Sequence, residues 1–563
     1  MMSFLRGSLK VLAISCAVLL VSENVKANVS LKNGNFFVAY TDAIYTGGFE
    51  TKLERVYNSK SSFKGMFGWG WGNEFEARLN VSGDGSVVVH EYGGGAENRF
   101  SPVKGKASDL DSAVESLVKV AQSQGTLGSS GQISEYRTRL KGDASFRSQQ
   151  WEIFRSEGKI QARQLAPGTQ LQSNRFSYQY ITKVADGYFR TLADSGKTEK
   201  FDAQGHLVKV SDKNGNSVSF EYGSDGHLKK LMDNTNRKMF FEYNNRGLVS
   251  KIDAEGGRSA TYSYNSEDEL VRSQDVDGNT YSFKYDSNRR HNLIQIEYSD
   301  RSKLSIAYHG LDRQENVERV VDRDGVVTEY DYGSNVSNRG SSSVTVTSKK
   351  GSELISKNKY QYFTKQKAGG EEWTYKLISD VDGDQTETTY NECCGLPVLI
   401  KQGGQETRFE YDIKGHITKK TTPYQVTELH YDPVINKVDR VNKYSIKNRK
   451  KAIWSQFEYD SKGNLIIAKS SDGRGVRLVY DNLGRIKSMM DQSKELINFK
   501  YNELSKPIEI SDPALGTISV SYSNSGELKE VRSQGGPKVA AQVTASFQSL
   551  LDIVKPAGVT LAF

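Results

Sequence analysis

Phe457-Glu458-Tyr459-Asp460-Ser461-Lys462-Gly463-Asn464-Leu465-Ile466-Ile467 reads as strand, turn, strand. The two rings stand at i and i+2, which on a strand puts both on one face while Glu458 points the other way. Asp460 can bond its own backbone and Gly463 tolerates positive φ, so a tight turn follows. A short apolar segment comes next, and Asp472-Gly473-Arg474-Gly475 turns the chain back into Leu478-Val479-Tyr480. One such hairpin cannot bury its aromatic face alone.

The pattern recurs outward in both directions. Aromatic-x-Tyr appears at Phe220-Glu221-Tyr222, Phe241-Glu242-Tyr243, Tyr262-Ser263-Tyr264 and Phe283-Lys284-Tyr285. It returns at Phe409-Glu410-Tyr411, Phe499-Lys500-Tyr501 and Val520-Ser521-Tyr522. The closing tyrosines Tyr222, Tyr243, Tyr264 and Tyr285, like Tyr459, Tyr480, Tyr501 and Tyr522, are spaced 21 residues apart. A fixed period of this size predicts an all-β repeat architecture in which stacked hairpins share one aromatic face. Tyr243, Tyr285, Tyr459, Tyr480 and Tyr501 are expected to face inward.

The Tyr-Asp pairs Tyr285-Asp286, Tyr411-Asp412, Tyr431-Asp432, Tyr459-Asp460 and Tyr480-Asp481 resemble the Rhs/YD-repeat family. So do Tyr40-Thr41-Asp42, Leu53-Glu54-Arg55-Val56-Tyr57-Asn58-Ser59 and Phe67-Gly68-Trp69-Gly70-Trp71, which are similar to the strand-rich module that precedes the repeats in Rhs proteins. The resemblance implies a YD-repeat β-solenoid curling into a hollow or partial shell. Rhs toxins carry a self-cleaving core module and a variable toxin after the repeats. Asp512-Pro513-Ala514-Leu515-Gly516 shares letters with that module but occupies the second turn of an ordinary repeat, so no protease role is carried over to it.

The expected organisation is a signal peptide over 1–27, a strand-rich module over 28–200, YD repeats over 201–531 and a tail over 532–563. The leader has Arg6 and Lys10 before the apolar run Val11 to Val21 and ends Val25-Lys26-Ala27, so cleavage before Asn28 and a secreted, periplasmic or cell-surface location are expected. No later apolar run offers a transmembrane anchor. A helical insertion is expected at 108–124, from the spacing of Leu110, Val114, Leu117, Val118 and Ala121, followed by a flexible loop over Gly125 to Gly131. The polar run Ser334 to Ser343, the segment Gln361 to Glu372 and the Lys-rich stretch Lys443 to Lys451 read as long inter-repeat loops. In the tail, Val539, Val543, Phe547, Leu550 and Val554 fall on one face of an amphipathic helix, as an end cap or a docking site for a partner.

Net charge is +8, spread among acids along the strands, so nucleic acid is not an expected partner. Apart from Cys16 in the leader the chain has only Cys393 and Cys394, in a turn slot, and two adjacent cysteines make no disulfide framework. His206, His227 and His416 sit in a Gly-His-(Leu or Ile) slot, and His430 occupies the middle of Leu429-His430-Tyr431. The repeat sets these positions. His90, His291 and His309 have no companion nucleophile, so no catalytic residue and no enzyme activity are expected. Asp380-Val381-Asp382-Gly383-Asp384 with Glu387 alternates carboxylates as a calcium loop does, but its Gly stands fourth where an EF-hand has it sixth. Asp275-Val276-Asp277-Gly278-Asn279 is its counterpart in another repeat, which favours a turn; calcium stays open as an alternative, and no other cofactor is expected. Two functions fit: a secreted scaffold that encloses or presents a protein partner, or a surface adhesin that binds carbohydrate or another cell.

Overall fold

The computed structural model describes residues 28–45, 51–91, 95–103, 108–161, 163–176, 178–193, 195–287, 290–311, 314–334, 340–366, 372–392, 395–491, 496–502, 506–513, 515–522, 528–533, 535, 536 and 542. The tail positions Val539, Val543, Phe547, Leu550 and Val554, the leader, and Cys393 and Cys394 lie outside them.

Each repeat builds one hairpin, and three local devices fix it. The Asp of each turn accepts two backbone N–H groups, as when Asp460 Oδ1 takes those of Lys462 and Asn464 at 2.9 and 2.8 Å. Asp481 does the same for Leu483 and Arg485, and Asp275, in the second turn of its repeat, for Asp277 and Asn279. The glycine of each turn has positive φ, +77° at Gly463, where a side chain would be strained. Every closing tyrosine sits at a register shift, as between Glu458 and Tyr459, and that bulge bends the strand.

The same tyrosines latch one hairpin to the one before it. The hydroxyls of Tyr222, Tyr243, Tyr264, Tyr285, Tyr308, Tyr480, Tyr501 and Tyr522 each donate to a carbonyl 15 residues upstream, at 2.7–3.1 Å. The ring partner two residues earlier is the buried one: Phe220, Phe241, Phe283 and Phe457 are all buried. The tyrosines are half-buried, all but Tyr501 against the same clusters, which agrees with the expected inward direction of Tyr243, Tyr285, Tyr459 and Tyr480.

Stacked hairpins form one antiparallel ribbon running in chain order from Arg78–Val81 to Leu528–Ser533. Among the described residues no ladder joins its first and last strands, so the ribbon is open-ended rather than a closed barrel. It nevertheless meets itself. Lys213 Nζ donates to the Gly463 carbonyl at 2.6 Å, Asn464 Nδ2 to Asn214 Oδ1 at 2.8 Å and Asn216 Nδ2 to the Leu483 carbonyl at 2.9 Å. The strands from Ser217–Tyr222 to Asn448–Tyr459 lie between these turns. At about 4.8 Å per strand they make a loop of roughly 100 Å.

A second, four-stranded sheet covers part of the apolar face. It comprises Asn28–Ser30, Asn35–Tyr45, Thr51–Asn58 and Trp71–Gly72. The Gly34 carbonyl accepts from Val317 N at 2.9 Å, the Asp42 carbonyl from Val276 N at 3.0 Å, and Tyr45 donates to the Lys238 carbonyl at 2.8 Å. Its strand Asn35–Tyr45 therefore crosses many repeats, and one continuous core runs from Phe36 to Val317.

The helical insertion is larger than the sequence periodicity indicated. Helix α1 spans Ser108–Ser123, as expected, but α2 (Ser130–Gly142) and α3 (Ala144–Ser156) follow it. Gly125, at φ +73°, ends the first helix, and a capping box between Ser129 and Gln132 starts the second two residues before the end of the expected loop. The sequence of α2 is polar, and its apolar stripe is only the three residues Ile133, Tyr136 and Leu140, a weak periodic signal. Arg147 on α3 bonds Asp84 at 2.7 Å, and a Cβ on Gly83 would meet Trp151 at 2.2 Å, so the bundle is seated on the first hairpin of the ribbon.

The described flanks of the three expected loops are strand, while residues 335–339 and 367–371 lie outside the described residues and 446–447 form the turn of a hairpin. Val326–Ser334 pairs with Ser341–Lys350, Glu353–Gln366 pairs with Glu372–Val381, and Val438–Ser445 pairs with Asn448–Tyr459. Serines, threonines and lysines there alternate on strands that expose one or both faces. Their polarity reports exposure, not loss of strand structure.

Candidate functional site: the uncovered tyrosine face

The apolar face is covered along residues 188–317 and again packs on itself from Val438 to Val531. Between these stretches the strands from Val326–Ser334 to Gln405–Tyr411 hold few fully buried side chains; Val344 is one. Their register sets out a lining. Tyr332 lies opposite Val344, which lies opposite Tyr360; Tyr362 lies opposite Leu377, and Leu377 opposite Thr388. Tyr330, Tyr332, Tyr360, Tyr362, Tyr390, Phe409 and Tyr411 are half-buried; Tyr330 packs against the core shared with the N-terminal module, and the other six belong to neither of the two buried clusters of the ribbon. Partial burial pushes the Tyr330 phenol up to about 12 and raises those of Tyr362, Tyr390 and Tyr411, so all stay neutral and donate hydrogen bonds at physiological pH. Rigid rings with one polar tip suit a protein-binding surface.

The anionic candidates are placed differently. Asp380 Oδ1 accepts from Gly383 N at 3.1 Å, and Asp382 and Gly383, at φ +52° and +90°, make a two-residue hairpin turn between Val381 and Asp384. Glu387 lies down the strand, 3.7 Å from Lys376 Nζ. Among the described residues no group of three or more His, Cys, Asp or Glu side chains is arranged to hold a metal ion.

The histidines are absorbed by the repeat. His206 and His416 each lie 3.0 Å from the carboxylate of their own turn, Asp202 and Asp412, and His227 lies 3.1 Å from Asp225. Their rings rest on Tyr222, Tyr431 and Tyr243 at 4.6–4.8 Å. In sister repeats Arg485 and Lys506 take the same slot over Tyr501 and Tyr522. His430 Nδ1 lies 2.6 Å from Asp439, and His90 lies 3.2 Å from Glu97. His291 stacks on Trp69 at 4.7 Å and bonds Glu269 at 2.9 Å.

Sequence reasoning missed a groove of about 490 Å³ between the N-terminal module and the first repeats, lined by Met66, Glu76, Arg78, His206, His227 and Tyr243. Glu76 is its half-buried carboxyl. It accepts from Met66 N at 2.6 Å, Asn73 N at 3.2 Å and Asn73 Nδ2 at 2.7 Å, yet burial outweighs these bonds and pushes it up to about 7. The folded state therefore binds this proton more tightly than the unfolded chain. The stability it contributes is complete below the ordinary glutamate value and is lost as pH rises through about 7. The melting temperature should fall between pH 5 and pH 8 relative to that of Glu76→Gln; parallel pH profiles for the two proteins would contradict this.

Residues 371–514 match the teneurin YD-shell family, and residues 26–100 match a domain of unknown function, DUF6531. No curated protein matches the chain. Among solved structures it is similar to a TcdB2-TccC3-TEV crystal structure at 13% identity, covering 94% of this chain and 29% of that one, with a TM-score of 0.42. It is similar to the Photorhabdus luminescens Tc holotoxin pore at 12% identity, covering 91% and 28%, with a TM-score of 0.42. A TcdB2-TccC3 structure without its hypervariable C-terminal region matches at 13% identity, covering 92% and 31%, with a TM-score of 0.41. The chain thus spans less than a third of the length of these three chains.

Proposed function

Because the chain is a YD-repeat protein of the Rhs type, we propose that it is an exported, non-enzymatic shell that encloses a protein partner against its tyrosine face. One observation carries this reading: the protein's own N-terminal module lines the apolar face along one arc, while the arc from Tyr332 to Tyr411 presents half-buried aromatic rings that belong to neither buried cluster of the described residues. The leader Met1 to Ala27 supports export, and among the described residues no helix is long and apolar enough to cross a membrane.

A photo-crosslinking residue at Tyr360, compared with one at the neighbouring exposed Lys359, tests the proposal in material made by the native host. A discrete protein adduct from position 360 and none from 359 is the expected result. Adducts from 359 alone, or none from either, would overturn it. Glycan-array binding without a protein adduct would favour the adhesin.

A further inference from the structure

We propose that the tips of two neighbouring hairpins, at Tyr424 and at Ile446 to Ile453, dock the protein on an anionic lipid bilayer. Tyr424, Ile446 and Ile453 are 69%, 50% and 62% exposed. Single exposed apolar residues need no explanation, but these belong to adjacent tips joined by a hydrogen bond from Ile446 N to the Tyr424 carbonyl at 3.1 Å.

Cations stand beside Ile446 and Ile453 in the sequence. The sequence from Lys443 to Lys451 contains Lys447, Arg449 and Lys451 and no acidic residue. Glu428, the nearby carboxylate, is already engaged: it accepts from Tyr444 Oη at 2.7 Å and lies 3.7 Å from Arg449. Lys447 and Lys451 make no ion pair among the described residues. Strand Asn448–Tyr459 pairs with the following strand only from Ser455 onward, so residues 449–453 have no described ladder on that side. Lysines on such an edge block pairing with other chains. That role accounts for the charges and leaves the three apolar side chains unexplained.

Apolar tips with lysines beside them have the chemistry of an interfacial anchor: the apolar groups enter the headgroup boundary and the cations meet anionic lipids. The position fits. The turns that meet the first coil, 460–464 and 481–485, lie at the opposite ends of these strands, so the patch points away from the rest of the ring. A protein surface would offer the same tips no comparable density of negative charge. The inference does not depend on what the shell encloses.

The test is co-sedimentation of the full chain with vesicles of phosphatidylcholine alone and of phosphatidylcholine mixed with phosphatidylglycerol. Binding to the mixed vesicles only, weakened by salt, is expected. Lys447→Ala with Lys451→Ala should lower partitioning about 25-fold, from roughly fivefold per cation. Tyr424→Ser with Ile446→Ser and Ile453→Ser should abolish binding while the melting temperature holds, which separates lost docking from lost folding. No binding to mixed vesicles at low salt would overturn the proposal. So would binding that survives the serine variant, because charge alone would then suffice for any polyanion.

Discussion

Asp42→Ala should lower the unfolding free energy by about 3–5 kcal/mol, because it strands a buried guanidinium. Arg55 and Asp42 are both fully buried and bonded at 2.5 and 3.0 Å. Arg55 also donates to Ser273 Oγ at 2.9 Å, and Tyr262 donates to Asp42 Oδ2 at 2.8 Å, so the pair ties the N-terminal module to the repeats. Burial alone would depress the Arg55 charge, but Asp42 more than offsets it and holds the group protonated. The guanidinium carbon lies 4.8 Å from the Trp71 ring and 5.5 Å from that of Tyr262, and this aromatic enclosure makes the lost carboxylate irreplaceable by water. Chemical denaturation checks the magnitude. Limited proteolysis should show residues 28–72 cleaved first. Replacing both charges, Asp42→Leu with Arg55→Met, should recover most of the loss, since a well-packed apolar pair removes the stranded charge. An Asp42→Ala protein as stable as the wild type would show that the pair is not the anchor.

Tyr480→Ala and Tyr501→Ala should each cost on the order of 3–5 kcal/mol, and the matching Phe variants about 1 kcal/mol. The alanine change removes a half-buried ring, at Tyr480 one packed against the core between Val438 and Val531, whereas phenylalanine keeps the ring and deletes only the hydroxyl bond to Leu465 or Ile486. Burial raises both phenols, Tyr501 to about 12, so the latch is intact at any physiological pH. Melting curves of the four variants check this. Equal losses for Ala and Phe would mean that the hydrogen bond, rather than the ring, holds successive hairpins together.

The repeats were legible because each carries its own geometry. Asp460 and Gly463 specify a turn, and Phe457 and Tyr459 specify a face, using only neighbours within a few residues. What escaped was determined at a distance. The polar alternation of Ser341–Lys350 looks like a loop until its partners on both sides are known. Helix α2 has a capping signature but only a thin apolar stripe, since it rests on its sister helices through three side chains, Ile133, Tyr136 and Leu140. The tyrosine face was visible as residues and invisible as a site. Tyr411 and Tyr480 each close a strand and open an Asp-x-x-Gly turn, and only the reach of the N-terminal sheet and the register of the ribbon leave the first outside the buried clusters. The Asp42 and Arg55 pair was quoted within a motif, but its partner Ser273 lies 218 residues from Arg55, beyond any local pattern.

The junction where the ribbon meets itself has a mechanical consequence. Within the ribbon, adjacent strands share backbone ladders and apolar packing. Across the junction, Lys213, Asn214 and Asn216 reach the later coil through side-chain hydrogen bonds at turn tips. Bonds of that kind are each worth about 1 kcal/mol, and partly exposed ones open most readily. Under strain the body behaves as a wound spring with a light clasp: it yields between coils long before any strand peels away, and it can dilate and recoil with every ladder preserved.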